Sequence, residues 1–350
     1  MTENNQHPSH HRGDENSAHE YHLDFERPIS NLTEQIKLLQ AAPPAEGLEK
    51  KIKALQKDVA NLRQEIFGHL SPWQRVQLAR HPNRPHALDL IKLIFTEFHE
   101  VCGDRYFADD PAIVAGLAYL NKTPVAVLGI EKGFKTKERI YHNFGMPRPE
   151  GYRKALRLMQ LAGRFNLPCI SFIDTPGAYP GVDAEERGQA SAIATNLEEM
   201  FGIKAPLMAV VIGEGGSGGA LALGVADKVY MMEYAIYSVI SPESCASILW
   251  SDPKKAEESA NSLRLSAPEA LELGVIDTII PEPPGAAHSD LKTAANLIKK
   301  QLTSDLNKLQ GQKIDALLAA RFAKFRAMGQ AAIDFEAQDL LYKAAAEQKE

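Results

Sequence analysis

The sequence has little cysteine: Cys102, Cys169 and Cys245 stand alone in 350 residues, far apart and with no CxxC pair. That excludes a disulfide scaffold, implies a reducing compartment and leaves no zinc site to be read from spacing. Long apolar runs are missing as well. Leu207 to Ile212 is among the longest, far short of the roughly 20 residues that span a bilayer. The opening stretch, MTENNQHPSHHRGDENSAHE, has no apolar signal core, so a cytoplasmic location is expected. Neither sign of charge dominates. Lys plus Arg number 39 against 45 Asp plus Glu, a net charge of -6 with a pI near 6.0, which argues against nucleic acid as the main partner. With 44% hydrophobic and 24% charged residues, the composition is that of an ordinary globular chain. Its length suits one large or two smaller domains at about 100–200 residues each.

Four segments follow from patterning. Residues 1–22 carry His7, His10, His11 and His19 among Asn, Glu, Asp and Ser and read as a solvated, disordered tail. Within 23–85 lies a helical hairpin: Ile29, Leu32, Ile36 and Leu39 recur at 3, 4, 3, and Leu48, Ile52, Leu55, Val59, Leu62 and Ile66 at 4, 3, 4, 3, 4. This is an a/d seam interrupted by a Pro-Pro/Gly breaker at 43–47. Such a seam is buried either within the hairpin and on the adjoining domain, or on another subunit. Residues 86–285 alternate short apolar runs (125–130, 169–173, 207–212, 229–232, 236–240, 275–280) with helical patterns (152–165, 185–201, 220–225, 243–249, 268–273). That alternation predicts an α/β domain around a mainly parallel sheet. Residues 286–350 read as C-terminal helices over about 290–308 and 312–328 with a frayed, Ala/Gln/Lys/Glu-rich end.

Two glycine-rich segments each follow a strand directly: Asp174-Thr-Pro-Gly-Ala-Tyr-Pro-Gly181 and Gly213-Glu-Gly-Gly-Ser-Gly-Gly219. Glycine lets the backbone approach a ligand with no Cβ in the way, and at a helix start it exposes unpaired N–H groups. Three chemistries compete. Gly213, Gly215 and Gly218 form G-x-G-x-x-G, with Glu233 twenty residues after Gly213, as in a dinucleotide fold. The helix that follows is too short for that unit, and the loop sits two-thirds of the way along the chain. Ile173-Asp-Thr-Pro-Gly177 mimics the DxxG of a GTPase, but no G-x-x-x-x-G-K-[ST] precedes it, which excludes that fold. An oxyanion hole accounts for the glycines and for the lack of a nucleophile–base pair, since backbone donors in a dry site are worth about 2.7–4 kcal/mol each. Ser217 then reads as a helix cap rather than a nucleophile.

Between Glu131 and Arg157 lie eight Lys/Arg and three Glu. In part this is a solvated helix face. As a local positive field it would suit phosphates, such as those of coenzyme A, with Lys132, Lys135, Arg148, Arg153 and Lys154 as candidate contacts to those phosphates or to a partner. Asn143-Phe-Gly-Met-Pro-Arg-Pro-Glu-Gly151 reads as a rigid loop suited to gripping a ligand or partner.

Taken in order, Leu78-Ala-Arg-His-Pro82, Asn143-Phe-Gly-Met-Pro147, Pro149-Glu-Gly-Tyr-Arg-Lys-Ala-Leu-Arg157, Ile173 to Gly181, Ala184-Glu-Glu-Arg-Gly-Gln189, Gly213 to Ala222 and Ser238-Val-Ile-Ser-Pro-Glu243 resemble the carboxyltransferase alpha subunits of bacterial-type acetyl-CoA carboxylases, over about Phe25 to Met328. The resemblance implies a crotonase-like fold of repeated ββα units. It implies transfer of a carboxyl group from carboxybiotin, borne on a separate carrier protein, to acetyl-CoA, giving malonyl-CoA in the committed step of fatty acid biosynthesis. By the same resemblance Gly218 and Gly219 supply the oxyanion hole for the biotin carbonyl, with Gly177 and Ala178 as a second loop of the pocket. Glu185 and Glu186 could act as bases, or simply be surface charge at a helix start. Expected partners are a carboxyltransferase beta subunit carrying the zinc site, in an α2β2 assembly, with the biotin carrier protein and an ATP-using biotin carboxylase. This chain shows no Met-Lys-Met biotinylation site and no ATP module, and no metal is expected in it. Another acyl-CoA such as propionyl-CoA, or hydratase/isomerase chemistry on enoyl-CoA, are the alternative readings.

Overall fold

The computed structural model describes residues 21–329; the histidine-bearing tail up to residue 20 and the chain from residue 330 onward lie outside the described residues. The hairpin forms as the seam predicts, as α1 (Arg27–Ala41) and α2 (Leu48–Gly68). Its apolar stripe is buried within the hairpin and at its base: Ile29, Ile36, Val59 and Phe67 cluster with Leu78, Tyr234 and Ala286 of the body. The chain then runs through α3 (Pro72–Ala79) and α4 (Ala87–Ile94) into an eight-stranded sheet.

The sheet opens with β1 (Thr96–Glu100), β2 (Ile113–Leu120) and β3 (Thr123–Ile130), antiparallel neighbours. After α5 (Thr136–Tyr141) and α6 (Pro149–Phe165) comes β4 (Cys169–Thr175), parallel to β3. Then follow α7 (Val182–Glu186), α8 (Gln189–Gly202), β5 (Leu207–Gly216), α9 (Ser217–Leu221) and β6 (Lys228–Met232). The remainder is β7 (Ile236–Ser238), α10 (Pro242–Trp250), α11 (Ala256–Ser262), α12 (Ala267–Glu272), β8 (Thr278–Ile280), α13 (Leu291–Gln310) and α14 (Ile314–Arg326). Strand order is β1-β2-β3-β4-β5-β6-β8, while β7 pairs with the last three residues of β5 beyond the reach of β6.

Each apolar run anticipated from the sequence contains a strand, and the pairings from β3 onward are parallel. β4 and β5 are buried along almost their whole length, as strands covered on both faces must be. Two strands go beyond the expected six. β2 pairs with β3 through a tight turn in which Asn121 adopts φ 57°, the left-handed conformation that Asn tolerates. β1 is a largely exposed edge strand with polar residues. The helix expected over 185–201 is two helices, because Gly188 sits at φ 82° and caps the second. α13 and α14 contribute Ala294, Ile298, Leu302 and Leu317 to the same core cluster as β3 to β6.

Candidate active site

The two glycine segments begin inside adjacent parallel strands rather than after them, since β4 runs to Thr175 and β5 to Gly216, and they continue past the carboxyl ends, where open α/β sheets place their ligands. They press against each other. A Cβ on Gly219 would lie 2.7 Å from the Ala178 nitrogen and the Gly177 carbonyl carbon, and 3.0 Å from the Tyr152 hydroxyl. No side chain fits there, so glycine is required for contact between the loops. Gly218 differs: its Cβ would meet only Ile193, at 3.6 Å. Gly177 adopts φ 151° and is pinned by Thr175, whose hydroxyl donates to the Gly177 carbonyl (2.7 Å) and accepts from the Gly177 N–H (3.0 Å).

α9 begins at once after β5, so Gly218 and Gly219 fall in a first turn where no i−4 carbonyl belongs to the helix. Ser217 does not cap that helix. The N-cap is Gly216 with no side-chain bond, and Ser217 itself adopts φ 51°, a conformation that costs a non-glycine residue roughly 1–2 kcal/mol and recurs at functional sites. Beneath the loops Tyr152 is fully buried, with no hydrogen-bond partner for its hydroxyl among the described residues; burial pushes its ionisation far up, with Asp110 adding to it. The sequence marked Tyr152 only as a helix residue. A buried orphan hydroxyl has no one-dimensional signal.

The cations of the 131–157 run have separate fates. Lys132 lies between two carboxylates, 2.7 Å from Asp174 Oδ1 and 2.7 Å from Glu214 Oε2. Glu214 also takes Arg80 Nε at 2.6 Å, and Arg80 reaches on to Glu243. Burial alone would raise the Glu214 carboxyl, but Lys132 and Arg80 pull it down to about 2. This array closes the ends of β3, β4 and β5 beside a cavity of about 200 Å³ that Arg139 and Phe144 also line. Phe144 is half exposed on a turn in which Asn143, Phe144 and Gly145 are all left-handed, the rigid loop anticipated from its sequence. Lys154 is completely buried, its ammonium 2.6 Å from Asp109 Oδ1 and 2.8 Å from the Asp110 carbonyl. Arg153 pairs with Asp104 at 2.8 Å under Tyr106, and Arg148 pairs with Asp183 while stacking on Tyr179. Lys135 is exposed at the start of α5. Lys132 and Lys154 are thus consumed by internal carboxylates, Arg148 borders the 174–181 loop through Tyr179, Arg153 is held between Asp104 and the Arg187 carbonyl, and Lys135 stands at the surface. Glu185 and Glu186 are exposed on α7, and Glu233, the acidic residue of the dinucleotide reading, accepts the Glu282 N–H instead.

The profile of the family described as acetyl co-enzyme A carboxylase carboxyltransferase-like matches residues 22–329. The chain belongs to this carboxyltransferase family. Proteins named acetyl-coenzyme A carboxylase carboxyl transferase subunit alpha are 53% identical over 311 residues in Actinobacillus pleuropneumoniae (88% of this chain, 98% of that protein), and 52% over 312 in Geobacter metallireducens (89% and 98%). The Pasteurella multocida protein of the same name is 54% identical over 315 residues (89% and 99%). Among solved structures, transcarboxylase 12S with methylmalonyl-coenzyme A and methylmalonic acid bound shares the fold at TM-score 0.54 and 20% identity, over 67% of this chain and 44% of that one. A Pseudomonas malonate decarboxylase hetero-tetramer in complex with coenzyme A does so at 0.52 and 16%, over 67% and 92%. The fold of this carboxyltransferase is the crotonase-like α/β fold that its motifs led us to expect. Among the described residues no helix is long and apolar enough to cross a membrane.

Proposed function

We propose that this chain is the alpha half of an acetyl-CoA carboxylase carboxyltransferase. It would receive the carboxyl group of carboxybiotin from a carrier protein and pass it to acetyl-CoA, making malonyl-CoA in the cytoplasm. The observation that carries the reading is the contact between the two glycine loops: Gly219 has room for no side chain against Gly177 and Ala178, at a helix start whose first N–H groups have no acceptor within the helix. In this reading the Gly218 and Gly219 amides donate to the ureido oxygen of the biotin substrate as negative charge develops there. The Gly177–Ala178 segment forms the opposite wall. No side chain of this chain is needed as a nucleophile. The ion array of Lys132, Asp174, Glu214 and Arg80 fixes the strand ends that carry both loops, which limits reorganisation during transfer. Lys135 and the partly exposed Arg148 and Arg153 are left to attract coenzyme A phosphates or a partner's acidic surface. The thioester side of the pocket belongs to a beta subunit, and ATP chemistry to a biotin carboxylase.

Two glycine variants test this in the complex reconstituted with a beta subunit. Gly218→Ala keeps the amide in open space and should retain transfer within a few-fold. Gly219→Val must displace Ala178 and should lower kcat by about 10²–10³, the usual cost of one oxyanion donor. Malonyl-CoA-dependent carboxylation of biotin in the reverse direction is the assay. Equal activity in both variants, with the complex intact by size exclusion, would refute the reading.

A further inference from the structure

The short helix α5 presents a face that the glycine loops and the ion array do not use. Its one acidic residue, Glu138, is turned inward: the side chain is buried, and Oε2 accepts the N–H groups of Phe134 (3.0 Å) and Lys135 (3.2 Å). At 3.6 residues per turn, Ile140 stands about 200° around the helix from Glu138, with Lys137 and Arg139 on its two flanks. The exposures agree: Ile140 is 60% exposed, Lys137 is exposed and Arg139 is half-buried. Neither cation, nor Lys135 just ahead of the helix, has an ion-pair partner among the described residues. On the Tyr141 side lie Asp109 and Glu100, and Asp109 is already taken by Lys154. The face is also stiff. A Cβ on Gly133 would lie 2.6 Å from the Glu138 carbonyl carbon and 2.8 Å from the Arg139 nitrogen, and Phe134 stacks on His86 at 4.1 Å.

This face borders the glycine loops. Beyond α5 the chain turns through 143–145, where Phe144 is half exposed. A Cβ on Gly145 would lie 3.2 Å from the Asp174 carbonyl oxygen. The Pro147 carbonyl accepts the Tyr179 N–H at 3.0 Å, and Gln189 Nε2 bridges the Pro147 and Tyr179 carbonyls at 2.8 and 3.0 Å. Arg139, Phe144 and Pro176 line one cavity. Three cations without carboxylates, set around two exposed apolar side chains, suit a partner that is acidic and apolar together. A phosphate fits poorly, because Lys137 and Arg139 diverge on either side of Ile140 and the apolar groups offer it nothing. A permanent subunit fits poorly too. Lasting interfaces are depleted in lysine, whereas exposed charge at a rim speeds a brief encounter.

We infer that, given the carboxyltransferase reading above, α5 and the 143–145 turn are the seat on which an acidic biotin-carrier domain lands while its biotin reaches the glycine loops. In the complex reconstituted with a beta subunit, malonyl-CoA-dependent carboxylation would be measured on the biotinylated carrier protein and, separately, on free biotin. Lys137→Glu with Ile140→Asp should raise KM for the carrier by about tenfold or more, leave kcat at saturating carrier within about twofold, and leave carboxylation of free biotin unchanged. Lys137→Glu alone, on an exposed side chain, should raise that KM about threefold, and Lys137→Arg should match the parent. Added salt should raise the parent's KM for the carrier and move that of Lys137→Glu less. An unchanged carrier KM in the double variant would overturn the docking site. So would equal losses on carrier and free biotin in Lys137→Glu, or a raised KM for malonyl-CoA, which would give the face to coenzyme A phosphates instead. A parent complex that carboxylates neither acceptor would overturn the carboxyltransferase reading itself, and the docking site with it.

Discussion

Tyr152 shows how a single atom can be costly. Its hydroxyl is buried behind the loop contact with no partner among the described residues, and an unsatisfied buried hydroxyl costs about 1–3 kcal/mol. Tyr152→Phe keeps the ring packing and should raise the unfolding free energy by about 1 kcal/mol, read from urea melts at constant m-value. Two other residues set the response to acid. Burial would raise the Glu131 carboxyl, yet His86 and the Leu88 and Gly133 N–H groups hold it at about 2, as Lys132 and Arg80 hold Glu214. Both folded-state values lie below the ordinary 4.5, so each glutamate's contribution is complete above that pH and is lost as pH falls toward 2. The urea midpoint should therefore drop steadily between pH 4.5 and pH 2.5. Glu214→Gln, which no longer titrates there, should flatten part of that fall. None of these partners was legible in the sequence. Lys132 finds Glu214 82 positions away and Lys154 finds Asp109 45 positions away, so a run of positive charge looked like an open field when most of it is matched.

Among the elements, those with a period or a continuous apolar run could be read directly. The hairpin seam and the parallel strands are of this kind, because burying one stripe or both faces leaves a repeating mark on the sequence. Elements shaped by one residue's backbone could not. α7 and α8 share a helical pattern, yet Gly188 at φ 82° divides them, with open space around it: a Cβ there would meet only Ser191, at 3.6 Å. Gly188→Ala should accordingly fit sterically but cost about 1–2 kcal/mol for its left-handed conformation, measured by thermal or urea unfolding. β1 is an exposed edge strand and so carries little hydrophobic pattern, and Ser217 has the hydroxyl type that suits a cap but not the φ.

At the scale of the whole molecule, one buried side chain adds a polar tie between α14 and the body to the apolar packing of the C-terminal helices. Arg321 of α14 donates to both Asp227 oxygens, at 2.7 and 2.8 Å, and to the carbonyls of Met200, Ile203 and Ala205. The pair is almost fully buried. Removing one partner of such a pair strands the other, so Arg321→Met should destabilise by about 3–5 kcal/mol. Arg321→Met with Asp227→Leu should recover part of that loss, a double-mutant cycle in urea being the measurement.

Consecutive residues alone are enough to give the α/β class, the hairpin, the family and the two glycine segments that flank the candidate pocket. These are properties of local order: periodicity, strand-length apolar runs and short motifs are written in consecutive residues. Packing between distant segments settles that Gly219, and not Gly218, has no space for a side chain, which cations find carboxylates, and that Glu26, His81 and His288 meet at all. Each of those depends on what a distant segment brings within a few ångströms, and contact across the fold leaves no periodic trace along the chain.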